Sequence, residues 1–355
     1  MNTNIEQLLQ KYRLAPDSLT EPLMSLDMAK LGDDIASFKE EGLSQGFIRR
    51  RIVLFMDGYR YSLRAAEKRW GFDFGFYETG KEPVKKVYFS GKFNDNAAVV
   101  WLQKMNEDKD FGNNLVEELK TIIEMEKYLA ASVSQTELSK EEIGKHLENH
   151  LSWWIQFFEF AFLWFCAENI QQETNAQIEK IWKDTPESLK EFLDGVYRPM
   201  DLPVSSVEQR DILNVSQLKG EELEQALDAH WKKYKHLSLH NIDDEPFDKD
   251  YYVSRIKSLQ KEGEYAKQKD LLTHADAEIG EATNLLKGAD IPEELKNRIE
   301  FVRWFMFLRT ESVDNMMLVN ASYRHVFDSL SKLFDLPIAT GDDVANTVLF
   351  GSRDA

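Results

Sequence analysis

From Leu151 to Ala167 the only polar residues are Ser152, Gln156 and Glu159. They fall at i, i+4 and i+7, on one face of a helix, and Asn149 and Lys145 extend that stripe backward. The rest of the stretch is aromatic and aliphatic: eight rings lie between Trp153 and Phe165. The pattern predicts an amphipathic helix with a very wide apolar face, buried in a core. A spanning helix needs roughly 20 apolar residues. The longest unbroken run here is Phe160 to Ala167, with Glu159 beside it, so no membrane span is predicted. A buried Glu159 requires a cationic partner.

The second strong pattern lies near the end. After Asp290 and Pro292, the residues Leu295, Ile299, Val302, Met306, Arg309, Val313, Met316, Asn320, Tyr323, Phe327, Leu330 and Phe334 recur at alternating four and three. This heptad-like seam predicts one long bundle helix. Its polar members are Arg309 and Asn320. Glu159 is the expected partner of Arg309, a buried structural pair joining the two helices.

Other segments read as helix too: Phe47–Trp70, ended by Gly71; Asn96–Met105; Leu115–Ser132; Val207–Leu218; Gly220–Leu237; Lys249–Lys261; and Tyr265–Leu286. Ser139 to Glu142 (SKEE) form a capping box that opens the aromatic helix, which is expected to run to about Trp182. Thr185-Pro186 opens a short helix stopped near Gly195. The Gly- and aromatic-rich residues 72–93 contain the one β signal, VKKVYF, expected in a minor hairpin turning at Gly91. The predicted fold is mainly α, a multi-helix bundle. The prolines of Tyr197–Ser206 predict a hinge at 198–206 between an N-terminal subdomain, 1–197, and a C-terminal one, 207–355.

Charge then narrows the function classes. The chain has 355 residues and a formal net charge of −18. Such a surface repels phosphate backbones, so no nucleic-acid partner is expected. The single cysteine, Cys166, sits in the apolar run and reads as a small buried hydrophobe. With no intrachain disulfide and no secretory signal at the N-terminus, a cytoplasmic location is expected.

Candidate chemistry is sparse. Gly75–Lys81 (GFYETGK) has phosphate-loop spacing, but Glu82 stands where a magnesium-binding hydroxyl belongs. His146 and His150 lie one turn apart, without a third ligand, and read as solvated helix residues. His230, His236 and His240, followed by Asp243, Asp244 and Glu245, are weak metal-ligand candidates for a metal-dependent enzyme. Arg60, Arg64 and Lys68 form a basic stripe suited to a phosphorylated small molecule. No nucleophile-base arrangement and no cofactor motif stands out, so the chain reads as non-catalytic on its own.

The segments Glu208–Leu237, Glu245–Leu259 and Arg298–Leu336 follow a familiar order. Their marks are His230, Tyr234 and Leu237 in H-x-x-x-Y-x-x-L, and the arginine-acid set Arg309, Glu311 and Asp314. Together they resemble the helical region of phosphoenolpyruvate-utilising phosphotransferases, the synthase-like and dikinase-like group. The family's phosphohistidine lies in a segment with a Ser-His pair, and no Ser-His occurs in this sequence. A Gly-rich ATP-grasp loop is missing as well. The resemblance therefore implies a helical connector that docks a phosphohistidine or ATP-grasp domain supplied by another chain.

Overall fold

The computed structural model describes Ile5 and residues 43–50, 69–71, 76–79, 84–90, 93–134, 136–161, 166–240, 244–261 and 263–334. The protein is mainly α. Among the described residues there are ten α-helices: α1 Phe93–Glu107, α2 Phe111–Ser132, α3 Lys140–Ala161, α4 Cys166–Ile181, α5 Pro186–Val196, α6 Val204–Val215, α7 Gly220–Tyr234, α8 Lys249–Leu259, α9 Glu264–Gly288 and α10 Glu293–Phe334. A short 3-10 turn, Lys235–Ser238, follows α7. No helix is long and apolar enough to cross a membrane, among the residues described.

The helix starts follow local chemistry. Ser139 and Glu142 close the expected capping box: the Ser139 N–H donates to Glu142 at 2.8 Å, and the Glu142 N–H to the Ser139 hydroxyl at 3.3 Å. Thr185 caps α5 by accepting from the Ser188 N–H at 3.2 Å, with Pro186 at the first helical position. Asp248 does the same for α8, through the Tyr251 N–H at 2.7 Å.

Three strands, β1 Leu43–Arg50, β2 Phe76–Thr79 and β3 Val84–Ser90, form an antiparallel sheet in the order β1-β3-β2. This corrects two expectations. The hairpin does not turn at Gly91, because both strands that pair with β3 precede it, with Phe76 opposite Phe89 and Leu43 opposite Ser90, and the chain enters α1 at Phe93. The helix predicted from Phe47 does not begin there, because Phe47–Arg50 belong to β1. A lone hairpin leaves too many backbone groups unpaired to persist in water, and a third strand relieves this.

The chain divides into two compact units, and not at the prolines. One comprises Met1–Lys104, Glu124–Cys166 and Ser322–Ala355; the other comprises Met105–Ile123 and Ala167–Ala321. Residues 198–206 lie inside the second unit. They are held there by the buried Arg303, whose Nε donates to the Arg198 carbonyl at 2.7 Å. A proline pair marks where a helix must stop, and says nothing of what packs over the stop.

In the first unit the aromatic helix is core, as its pattern requires. Trp153, Trp154, Phe157 and Phe160 are all at most 2% exposed. Trp70 packs on Trp101 and on the edge of Phe160. Its indole N–H donates to the Glu159 carbonyl at 3.2 Å. Glu159 finds its cation, but it is Arg69, at 3.1 Å, rather than Arg309. The described residues of the aromatic stretch lie in α3, to Ala161, and in α4, from Cys166 to Ile181.

In the second unit α5 packs on α9, and α6, α7 and α8 pack on one another around Ile212, Leu227, Tyr234, Tyr252 and Ile256. On α10 the predicted seam is buried at Leu295, Ile299 and Val302 and again from Met316 to Leu330, but Met306, Arg309 and Val313 are only partly covered. Phe305, Leu308, Ser312 and Asn315 are buried instead. Over this stretch the helix is covered from a second side, and the seam residues between face partly outward. Arg309 consequently stays 38% exposed, 3.6 Å from Glu168.

Candidate functional site

His230 and Tyr234 meet polar side chains of α6 in the second unit. On α6, Glu208 and Asp211 lie three apart and share a face; on α7, His230 and Tyr234 lie four apart; on α8, Tyr252 and Arg255 lie three apart. Each helix thus turns two polar groups toward the others.

Arg255 donates from Nη1 to both oxygens of Glu208, at 2.7 and 2.8 Å. Nε2 of His230 lies 2.9 Å from the same carboxylate. Glu208 and His230 are buried. Tyr234 and Tyr252 flank the His230 ring, with ring centres 4.8 and 5.0 Å away. Beside this group, Tyr234 donates its hydroxyl to Asp211 at 2.5 Å and Lys233 donates to the same oxygen at 3.0 Å.

The electrostatics follow from burial and these bonds. Burial alone pushes the Asp211 carboxyl up, but the Tyr234 and Lys233 donors outweigh it and hold it below the usual carboxylate range. Burial disfavours the charged Arg255 guanidinium, and the Glu208 carboxylate reverses this, leaving Arg255 above its ordinary value. Tyr234 and Tyr252 are both raised, chiefly by burial. The arrangement sets the Glu208 carboxylate between a guanidinium and an imidazole. It resembles a bolt between three helices more than a reaction centre: both carboxylate oxygens already have partners.

The second set of resemblance residues caps a helix. Pro203, the N-cap of α6, has no side chain able to accept a hydrogen bond. Two carboxylates of α10 serve instead: Glu311 accepts from the Val204 N–H at 2.9 Å and Asp314 from the Ser205 N–H at 2.7 Å. Asn315 donates to Glu311 at 3.1 Å and steadies it. Burial raises the Asp314 carboxyl, with the Ser205 donors opposing. Nearby, Asn320, the polar seam residue, donates to the Leu239 carbonyl at 2.8 Å.

The other candidates fall out differently. Arg60, Arg64 and Lys68 lie outside the described residues, as does Asp243. His230 is committed to Glu208, and His236 is buried, its pKa pushed down to about 4. His240 is exposed on the loop that follows. Among the described residues no three His, Cys, Asp or Glu side chains are grouped to hold a metal ion. His150, expected to face solvent, is buried against Trp153, Trp154 and Tyr323, and burial pushes its pKa down to about 3. The Phe76–Thr79 part of the phosphate-loop spacing is strand β2. Cys166 is fully buried, and burial raises its thiol.

Sequence reasoning missed two buried arginines, Arg298 and Arg303. A signal existed. Arg298, Phe301, Phe305, Leu308, Ser312, Asn315 and Val319 form a second stripe on α10 beside the predicted seam. A helix with two such stripes is covered on two sides, and a basic residue within either must find partners.

No family model, no curated protein and no solved structure matches this chain.

Proposed function

We propose that the chain is a non-catalytic helical module of the phosphoenolpyruvate-utilising kind, which docks a phosphohistidine or ATP-grasp domain carried by another chain in the cytoplasm. One observation carries this reading. Four of the six marks of the resemblance, His230 and Tyr234 on α7 and Glu311 and Asp314 on α10, hold helices in place, with Glu208, Asp211 and the α6 N-terminus as their partners. Groups so engaged position a body; they do not attack a phosphoryl group. The absence of any Ser-His pair agrees with this.

The test has two arms on the purified full chain. Incubated alone with labelled phosphoenolpyruvate or ATP, it should acquire no acid-labile phosphate. Titrated with an isolated phosphohistidine domain from a phosphoenolpyruvate-utilising enzyme, it should give saturable binding heat. Labelling of the chain alone, or no heat in the titration, rejects the proposal.

A further inference from the structure

A cleft of about 610 Å³ opens in the second unit, between the start of α5 and the end of α9, two helices that pack on each other. That volume lies within the roughly 300–1,000 Å³ of small-molecule sites. Trp182 and Leu285 supply apolar wall; Leu285 is 39% exposed and Trp182 is half-buried. Phe192 stacks on Trp182 with ring centres 5.0 Å apart, and the Trp182 indole N–H donates to the Ser188 hydroxyl at 3.1 Å. The ring is thereby fixed and its one donor is used. Gly288, the last residue of α9, lines the same wall. A Cβ added there would meet nothing within 4 Å, so the cleft is open at that point.

The charge of the cleft is negative on balance. Lys183, Asp184, Glu191 and Asp290 line it, one cation against three anions, for a net charge of −2. Lys183 already meets Asp290 at 2.8 Å, which leaves Asp184 and Glu191 as the surplus. The last turn of α9 brings the negative end of the helix dipole to the same wall. Anions are therefore repelled, and so is the carboxylate of a zwitterion. A bare metal ion would make no use of Trp182 and Leu285. The ligand that matches both features carries more than one positive charge on an apolar chain. An aliphatic polyamine is built this way: its methylenes lie along apolar surface as the stem of a lysine does, and its ammonium groups reach carboxylates.

We propose that this cleft binds an aliphatic polyamine, its ammonium groups toward Asp184 and Glu191 and its methylene chain on Trp182 and Leu285. The site is independent of the docking function proposed above. Calorimetry on the full chain, at one fixed ionic strength, would use spermidine, putrescine, n-butylamine and magnesium chloride as probes. Spermidine or putrescine should bind saturably. Butylamine, which lacks a second charged hydrogen bond, and magnesium, which lacks the chain, should each bind at least tenfold weaker. Gly288→Leu fills the cleft and should remove polyamine binding. The double variant Asp184→Asn with Glu191→Gln should weaken it tenfold or more, as for loss of hydrogen bonds between charged groups. Asp184, Glu191 and Gly288 are exposed, so these changes leave folding intact, which circular dichroism would confirm. Three results would overturn the proposal: no saturable binding of either polyamine, butylamine or magnesium binding as tightly as they do, or unchanged affinity in Gly288→Leu or in the double variant. The last is the result that diffuse attraction to a chain of net charge −18 would give.

Discussion

Glu208 shows how much a single buried carboxylate can commit. It holds Arg255 on α8 and His230 on α7 at once, so removing one partner leaves charge in a desolvated place. Arg255→Ala is expected to destabilise the protein by about 3 kcal/mol, toward the low end for a broken buried pair because Arg255 keeps part of its side chain in water. Urea denaturation would measure it, and the double variant Glu208→Leu with Arg255→Met should recover part of the loss. The buried histidines make a second prediction. His150 is held down to about 3 and His236 to about 4, both by burial. Above an unfolded value of ~6.5 neither state binds the proton, so these residues add no pH dependence there. Below it the unfolded chain is protonated first. Stability should therefore fall as pH drops from ~6.5 toward 4, by at most about 1.4 kcal/mol per pH unit for each histidine. The urea midpoint followed over that window should drop in the wild type, and His150→Phe should flatten the slope.

At the scale of elements, helix starts divide into those capped from within and those capped from afar. The α3 start is self-sufficient, because Ser139 and Glu142 sit three apart and serve each other. The α6 start is not, because it opens on Pro203 and borrows Glu311 and Asp314 from α10. Asp314→Ala should cost about 1 kcal/mol, as for loss of an N-cap acceptor. Amide exchange would locate the effect, with faster exchange at Ser205 and little change at the α3 start. The first kind of cap was legible as SKEE. The second was not, since its partners are more than a hundred positions apart in sequence. The same contrast separates the two arginines of α10. Arg309 sits on the predicted seam yet stays partly exposed, while Arg298 sits beside it and is buried. A seven-residue rhythm names one face of a helix, but not how far neighbouring elements cover that face along its length.

For the molecule as a whole, stability in the first unit rests on the aromatic helix. Trp153 is fully buried and touches the His150, Trp154 and Phe157 rings, and its indole N–H reaches the buried Glu126 at 3.4 Å. Trp153→Ala should cost ~3–5 kcal/mol and be seen as a lowered urea midpoint. The helical class, the order of most helices, the capping box and the burial of the Trp153, Trp154, Phe157 and Phe160 rings could be read from periodicity and local spacing, because those depend on residues within a turn or two of each other. Which cation meets Glu159, what encloses Glu208, where the chain divides and what meets the buried Arg303 depended on tertiary structure. Each of these brings together residues far apart in sequence, and an isolated charge states only that it needs a partner, never which one will be near.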